Sequence, residues 1–149
     1  MSTRSWIVIL LVLLSACSGG GDQQPMEQIN GITVPPAPDV AANRATIAGV
    51  DSDRNGIRDD VDRMLATDFG KSPAFHEEAV SFARTEQAAL LNPTAEAVEA
   101  HIDLLRCTRD PKRLADFDRV TLAAVDTPVR KGAYGRAFAG VVISSRGCK

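Results

Sequence analysis

Asp51-Ser52-Asp53-Arg54-Asn55-Gly56-Ile57-Arg58-Asp59-Asp60-Val61-Asp62 decides where this chain turns and where its first substantial helix begins. Oxygen-bearing side chains stand at positions 1, 3, 5, 9 and 12 of the stretch, and a glycine stands at position 6. A hard cation such as calcium takes six to eight oxygen ligands, so a compact loop must supply carboxylates from alternate positions while turning sharply. Asp51, Asp53, Asn55, Asp59 and Asp62 are the candidate side-chain ligands, Ile57 the candidate backbone carbonyl, and Gly56 the residue free to make the turn. Arg54 and Arg58 fall at non-ligand positions, where they partly offset the carboxylate charge. The rival reading is an Asn-Gly turn followed by Asp59 and Asp60 favouring a helix N-terminus, with no metal. That reading leaves Asp51 and Asp53 unexplained.

The pattern resembles the calcium loops of thrombospondin type 3 repeats and dockerins, which are EF-hand-like and carry Asp at the last position. Asp62 is one methylene shorter than the bidentate Glu of a standard EF-hand. The resemblance therefore implies weak Ca²⁺ binding, with Kd on the order of 10⁻⁴ to 10⁻³ M, and Mg²⁺ as a competitor.

Working outward towards the N-terminus, Arg4 precedes an unbroken apolar run from Trp6 to Leu14, too short to span a bilayer and suited to a signal peptide over residues 1–16. The run ends in Leu14-Ser15-Ala16-Cys17, which resembles the bacterial lipobox. That resemblance implies cleavage before Cys17, acylation of Cys17 and a membrane lipid anchor, stable when two or three acyl chains are carried. Ser18 in place of Asp favours, by the same analogy, the outer membrane on its periplasmic side. Residues 17–38 read as a tether, Gly-rich at Ser18-Gly19-Gly20-Gly21 and Pro-rich at Pro35-Pro36-Ala37-Pro38. Ile29 to Val34 is a candidate short edge strand within it.

With Cys17 lipidated, Cys107 and Cys148 remain, and in an oxidising compartment a disulfide between them is expected. A reactive thiol is the alternative. Removing Arg4 from the 17 basic residues leaves 16 against 19 acidic ones, a weakly acidic balance that argues against a nucleic-acid partner or general adhesion to anionic surfaces. With Trp6 lost and Tyr134 the one tyrosine, aromatic binding platforms are also disfavoured.

Residues 39–149 read as one calcium-loop and helical domain. A helix should leave the loop near Arg58, bury Val61, Met64 and Leu65, and stop before Gly70. Ser72-Pro73, Asn92-Pro93, Asp110-Pro111 and Thr127-Pro128 each place an N-cap residue before a proline suited to the first helical position. Apolar residues at helical spacing follow each pair. The expected fold is all-α, a small bundle of four to five short helices behind the loop and tether. Val40 to Ala48 is a candidate entering helix that Gly49 ends, and the last segment either breaks near Gly140 or runs on as Val141-Val142-Ile143.

No catalytic motif emerges. His76-Glu77-Glu78-Ala79-Val80 begins like a zinc-protease helix, but Val80 stands where a second His is needed. His101 reads as a rim residue, and Glu77, Glu78, Glu86, Glu96 and Glu99 as solvated helix faces. An enzyme is not expected. The expectation is an anchored, calcium-binding envelope lipoprotein with a structural or binding role and an unknown envelope partner. The competing class is a periplasmic interaction or inhibitor module whose loop binds no metal.

Overall fold

The computed structural model describes residues 25–141. The signal segment, Cys17, Cys148 and the Val142-Ile143 extension lie outside the described residues. Two strands, β1 (Glu27–Ile29) and β2 (Ile32–Val34), pair antiparallel around Asn30-Gly31. Both turn residues have positive φ, 51° and 82°, as a two-residue type I′ turn demands and as Asn-Gly tolerates. Among the described residues six helices follow: α1 (Val40–Arg44), α2 (Asp59–Phe69), α3 (Pro73–Leu91), α4 (Ala95–Cys107), α5 (Pro111–Ala124) and α6 (Pro128–Ala137). None of these helices is long and apolar enough to cross a membrane.

The architecture is mostly helical, as the all-α expectation has it, with a small hairpin added where Ile29 to Val34 is the candidate strand. That hairpin falls inside residues 17–38, where composition suggests a tether. Its order has local and tertiary causes. The Asn30 side chain donates to the carbonyls of Ala66 and Thr67 at 3.0 and 3.1 Å, closing the end of α2. Arg63 on α2 donates to Pro35 O at 2.8 Å and to Glu27 at 2.9 Å. Val34 and Pro35 are buried. The lead-in is thus part of the domain from its strands onward.

Helix starts follow the cap-proline logic with two corrections: Ser72 stands at the N-cap before Pro73, but its side chain makes no capping bond, and Asn92 does not cap. The Asp110 side chain accepts from Lys112 N, and that of Thr127 from Arg130 N. At Asn92-Pro93 the helix starts two residues later, because Thr94 is the residue whose hydroxyl accepts from Ala97 N. Pro93 therefore lies before the cap, where it cannot be the first helical residue.

The main core lies where α2, α3 and α5 meet. Val61, Leu65 and Phe69 recur every fourth residue on one face of α2, and Ile57 of the preceding loop extends that row. They pack on Ala79, Phe82 and Ala83 of α3 and Phe117 and Val120 of α5. The rings of Phe82 and Phe117 stack at 4.3 Å. Each large apolar side chain so buried contributes roughly 1.5–3 kcal/mol. The contribution of α6 is slighter. Its buried apolar residues are Ala133 and Ala137, resting on Leu90 and Ala89 of α3.

Candidate metal centre

Ile57 anchors the Asp-rich loop from below, its side chain 1 % exposed in the core while Arg58 and Asp59 begin α2. The turn is made by Arg54 (φ 59°) and Gly56 (φ 88°), so the glycine expected at position 6 does adopt the left-handed conformation. The two carboxylate oxygens of Asp51 accept from Asn55 N at 3.1 Å and Gly56 N at 3.0 Å. Asp53 accepts from Asn55 N at 3.2 Å, and Asp59, almost fully buried, from Ser52 N at 2.9 Å. These bonds turn acidic side chains inward over the loop's own backbone. From α3, Arg84 Nε donates to Asn55 O at 3.0 Å and fixes the far side.

The result is a converging set of oxygens. Asp51, Asp53 and Asp59 each place a carboxylate oxygen within 4.8 Å of the others, and together they are positioned to hold a metal ion. Asp62, also buried, joins them through Asn55, whose Nδ2 donates to Asp62 at 2.6 Å and to Asp53 at 3.2 Å. Asn55 Oδ1 accepts from Ile57 N at 2.8 Å. Of the six expected ligand positions, three carboxylates therefore converge directly. Asp62 is not among those three; it borders them through Asn55, to which it is paired. A half-turn of the Asn55 amide brings its oxygen to face the carboxylates, at the cost of the bond from Ile57 N and of both Nδ2 donations, to Asp53 and Asp62.

Electrostatics favour a cation there. Burial pushes the Asp62 carboxyl up to about 6; Asn55 opposes this, and the charges of Asp53, Asp51 and Asp59 reinforce it. Asp53 is raised as well, by burial first, opposed by Asn55 N and reinforced by Asp51 and Asp59. Carboxylates that raise one another's proton affinity are held at a cost that a divalent ion reverses.

Arg58 does not do what its position suggests. Its guanidinium is fully buried and points away from the carboxylates. It forms a two-pronged pair with Asp60 at 2.9 and 2.7 Å and donates to Ala124 O at 2.8 Å and Ala123 O at 3.1 Å. Burial alone raises the Asp60 carboxyl, but the Arg58 guanidinium, with Asn43 and Arg130, outweighs it and leaves it below the usual range. Asp126 links Arg58 to a second fully buried arginine, Arg130 on α6, at 3.4 and 2.6 Å. Arg130 also donates to the carbonyls of Asn43, Thr46 and Ile47. The pair fastens the approach to the loop onto the α5–α6 corner. Sequence reading misses this network because its acceptors are mostly backbone oxygens, which carry no side-chain signature.

Two further expectations are corrected. His101 is completely buried between the rings of Phe82 (4.6 Å) and Phe138 (5.2 Å), not at a rim. Glu86 is completely buried on α3, whereas Glu77 remains exposed. Cys107 is the last residue of α4, with its expected partner Cys148 beyond the described residues.

No known protein family, curated protein or solved structure matches the chain. The likeness to calcium loops therefore rests on residues 51–62 themselves.

Proposed function

We propose that this chain is a lipid-anchored, calcium-binding protein of the cell envelope, in which the ion stiffens the start of a small helical domain. The observation that carries the reading is the convergence of Asp51, Asp53 and Asp59 oxygens within 4.8 Å. Asp59, Ile57 and Asp62 sit on buried ground at the start of α2, so an ion there neutralises carboxylates that the core helix holds in place. Its role is structural: it binds the folded loop and adds stability by mass action. The anchor belongs to the same proposal and is supported by Arg4, the Trp6–Leu14 run and Cys17. So does a Cys107–Cys148 disulfide tying the segment that holds Cys148 to α4; the loop-entropy estimate for such a bridge is about 4 kcal/mol.

Calorimetric titration of residues 25–149, disulfide intact, with Ca²⁺ and separately with Mg²⁺ tests the metal. One ion per chain is expected, with Kd on the order of 10⁻⁴ to 10⁻³ M. Ten millimolar calcium should then raise the unfolding free energy by about 1.4–2.7 kcal/mol. Asp51→Ala combined with Asp53→Ala should abolish both effects. Absence of heat at millimolar calcium, with the protein folded, overturns the proposal.

One observation favours the rival, an interaction module with a metal-free loop. Asn55 Nδ2 already donates to Asp53 and Asp62, so the loop satisfies part of its own charge. In that case chelation leaves stability unchanged, and Asn55→Ala destabilises the protein more than calcium stabilises it.

A further inference from the structure

We propose that Glu86 and His101 form a two-sided proton latch beneath α6, which holds the Tyr134–Phe138 end of that helix closed only while both buried groups are uncharged. The geometry is unusual for such residues. Both are completely buried, yet the two Glu86 oxygens and His101 Nε2 have no hydrogen-bond partner among the described residues. The Thr121 hydroxyl on α5 lies close enough to Glu86 to favour its charged form, though without the geometry of a hydrogen bond. His101 Nδ1 lies a long 3.4 Å from Thr85 Oγ1, and that hydroxyl is already committed to Phe82 O. A charge at either place has no counter-ion bonded to it, and burying one unpaired is costly.

The surrounding groups are few. Around Glu86 stand Arg58, from the N-terminus of α2, and Tyr134 on α6. The Arg58 donors are committed to Asp60 and to the carbonyls of Ala123 and Ala124. On α5, Asp118 acts on Tyr134. From α4 comes His101 itself, which meets Phe82 of α3 and Phe138 at the end of α6. Burial first, against the pull of Thr121 and Arg58, lifts Glu86 to about 7 from 4.5; burial drops His101 to about 4 from 6.5.

The element that yields is the one with least to hold it. The N-terminal half of α6 is fastened by Arg130, but its C-terminal half rests on Ala133, Ala137 and the Tyr134–Phe138 pair. Gly132 and Gly135 further weaken it as a helix. Opening it wets both groups and uncovers Ala89 and Val98.

The signs oppose each other. Between 4.5 and 7 the closed form binds one more proton at Glu86 than the open form, so rising pH favours opening. Between 4 and 6.5 the open form binds one more at His101, so rising pH favours closing. From pH 5 to pH 8 the shifts correspond to roughly a 70-fold rise in opening from Glu86 and roughly a 30-fold fall from His101. The natural chain therefore changes by only about twofold, and each single variant unmasks one side.

Hydrogen exchange of the α6 amides on the full-length chain, corrected for intrinsic rate, reads this directly. His101→Phe should show opening that rises roughly 70-fold from pH 5 to pH 8, and Glu86→Gln opening that falls roughly 30-fold. His101→Leu and Glu86→Leu serve if either first variant fails to fold. Flat profiles in both single variants overturn the latch. So does an equal shift in α2 and α3, which marks unfolding of the whole domain.

Discussion

Arg130→Met lowers the unfolding free energy by about 3–5 kcal/mol, the range expected when one member of a buried, hydrogen-bonded charge network is removed. The guanidinium is fully buried and serves four acceptors, Asp126 and the carbonyls of Asn43, Thr46 and Ile47. Methionine refills most of the volume but supplies no donor. Three backbone oxygens then lie against apolar atoms, and orphaned buried acceptors cost about 1–3 kcal/mol each before relaxation. Asp126 keeps partial compensation from Arg58 at 3.4 Å, which is why the loss stays within that range. Arg130→Lys keeps the charge but not the planar fork and should recover at most about half. Urea unfolding at constant m-value measures both. A change below about 1 kcal/mol for Arg130→Met would show that the network adds geometry without adding stability.

Gly49→Ala is the second large effect, about 2–4 kcal/mol destabilising. Gly49 has φ 68°, and a β-carbon there meets Asn43 Oδ1 at 2.5 Å, Arg58 Cδ at 2.6 Å and Arg130 Nη2 at 2.8 Å. The left-handed backbone costs an L-residue roughly 1–2 kcal/mol, and crowding a packed interior typically adds 1–3 kcal/mol, about the range proposed. Gly31→Ala separates the two contributions. Its φ is 82°, yet nothing lies within 4 Å of the added carbon, so it carries the conformational cost alone. Equal losses at the two sites would sink the packing argument. Because Gly49 touches both arginines, its effect should not add to that of Arg130→Met.

What the sequence makes legible is what depends on neighbours along the chain. Asp110 and Thr127 are caps because their oxygens reach amides two or three residues ahead, and those distances are fixed by local geometry. The spacing of the Asp-rich loop is likewise local, and three of its carboxylates converge. Asn92 and Thr94 are chemically equivalent capping candidates two residues apart, and which one caps is settled only by how α4 leaves α3. Glu86 looks like Glu77 in sequence; its burial is a product of α5 and α6 closing over one face of α3. Arg58 shows the limit most plainly. Its place in the loop suggests an electrostatic partner to the carboxylates, while its fully buried guanidinium turns toward α5.

The way the two buried arginines choose acceptors bears on how this protein can change over generations. Their bonds to residues 43, 46, 47, 123 and 124 end on carbonyl oxygens, which every amino acid provides. Thr46, Ile47, Ala123 and Ala124 are therefore under no demand from the arginines to keep their identities. The arginines, Asp60 and Asp126 are. Divergent copies should hold Arg58, Asp60, Asp126 and Arg130 fixed while those facing positions drift, so a conserved cluster will stand without covarying backbone partners. Four invariants scattered along a chain would then mark one joint.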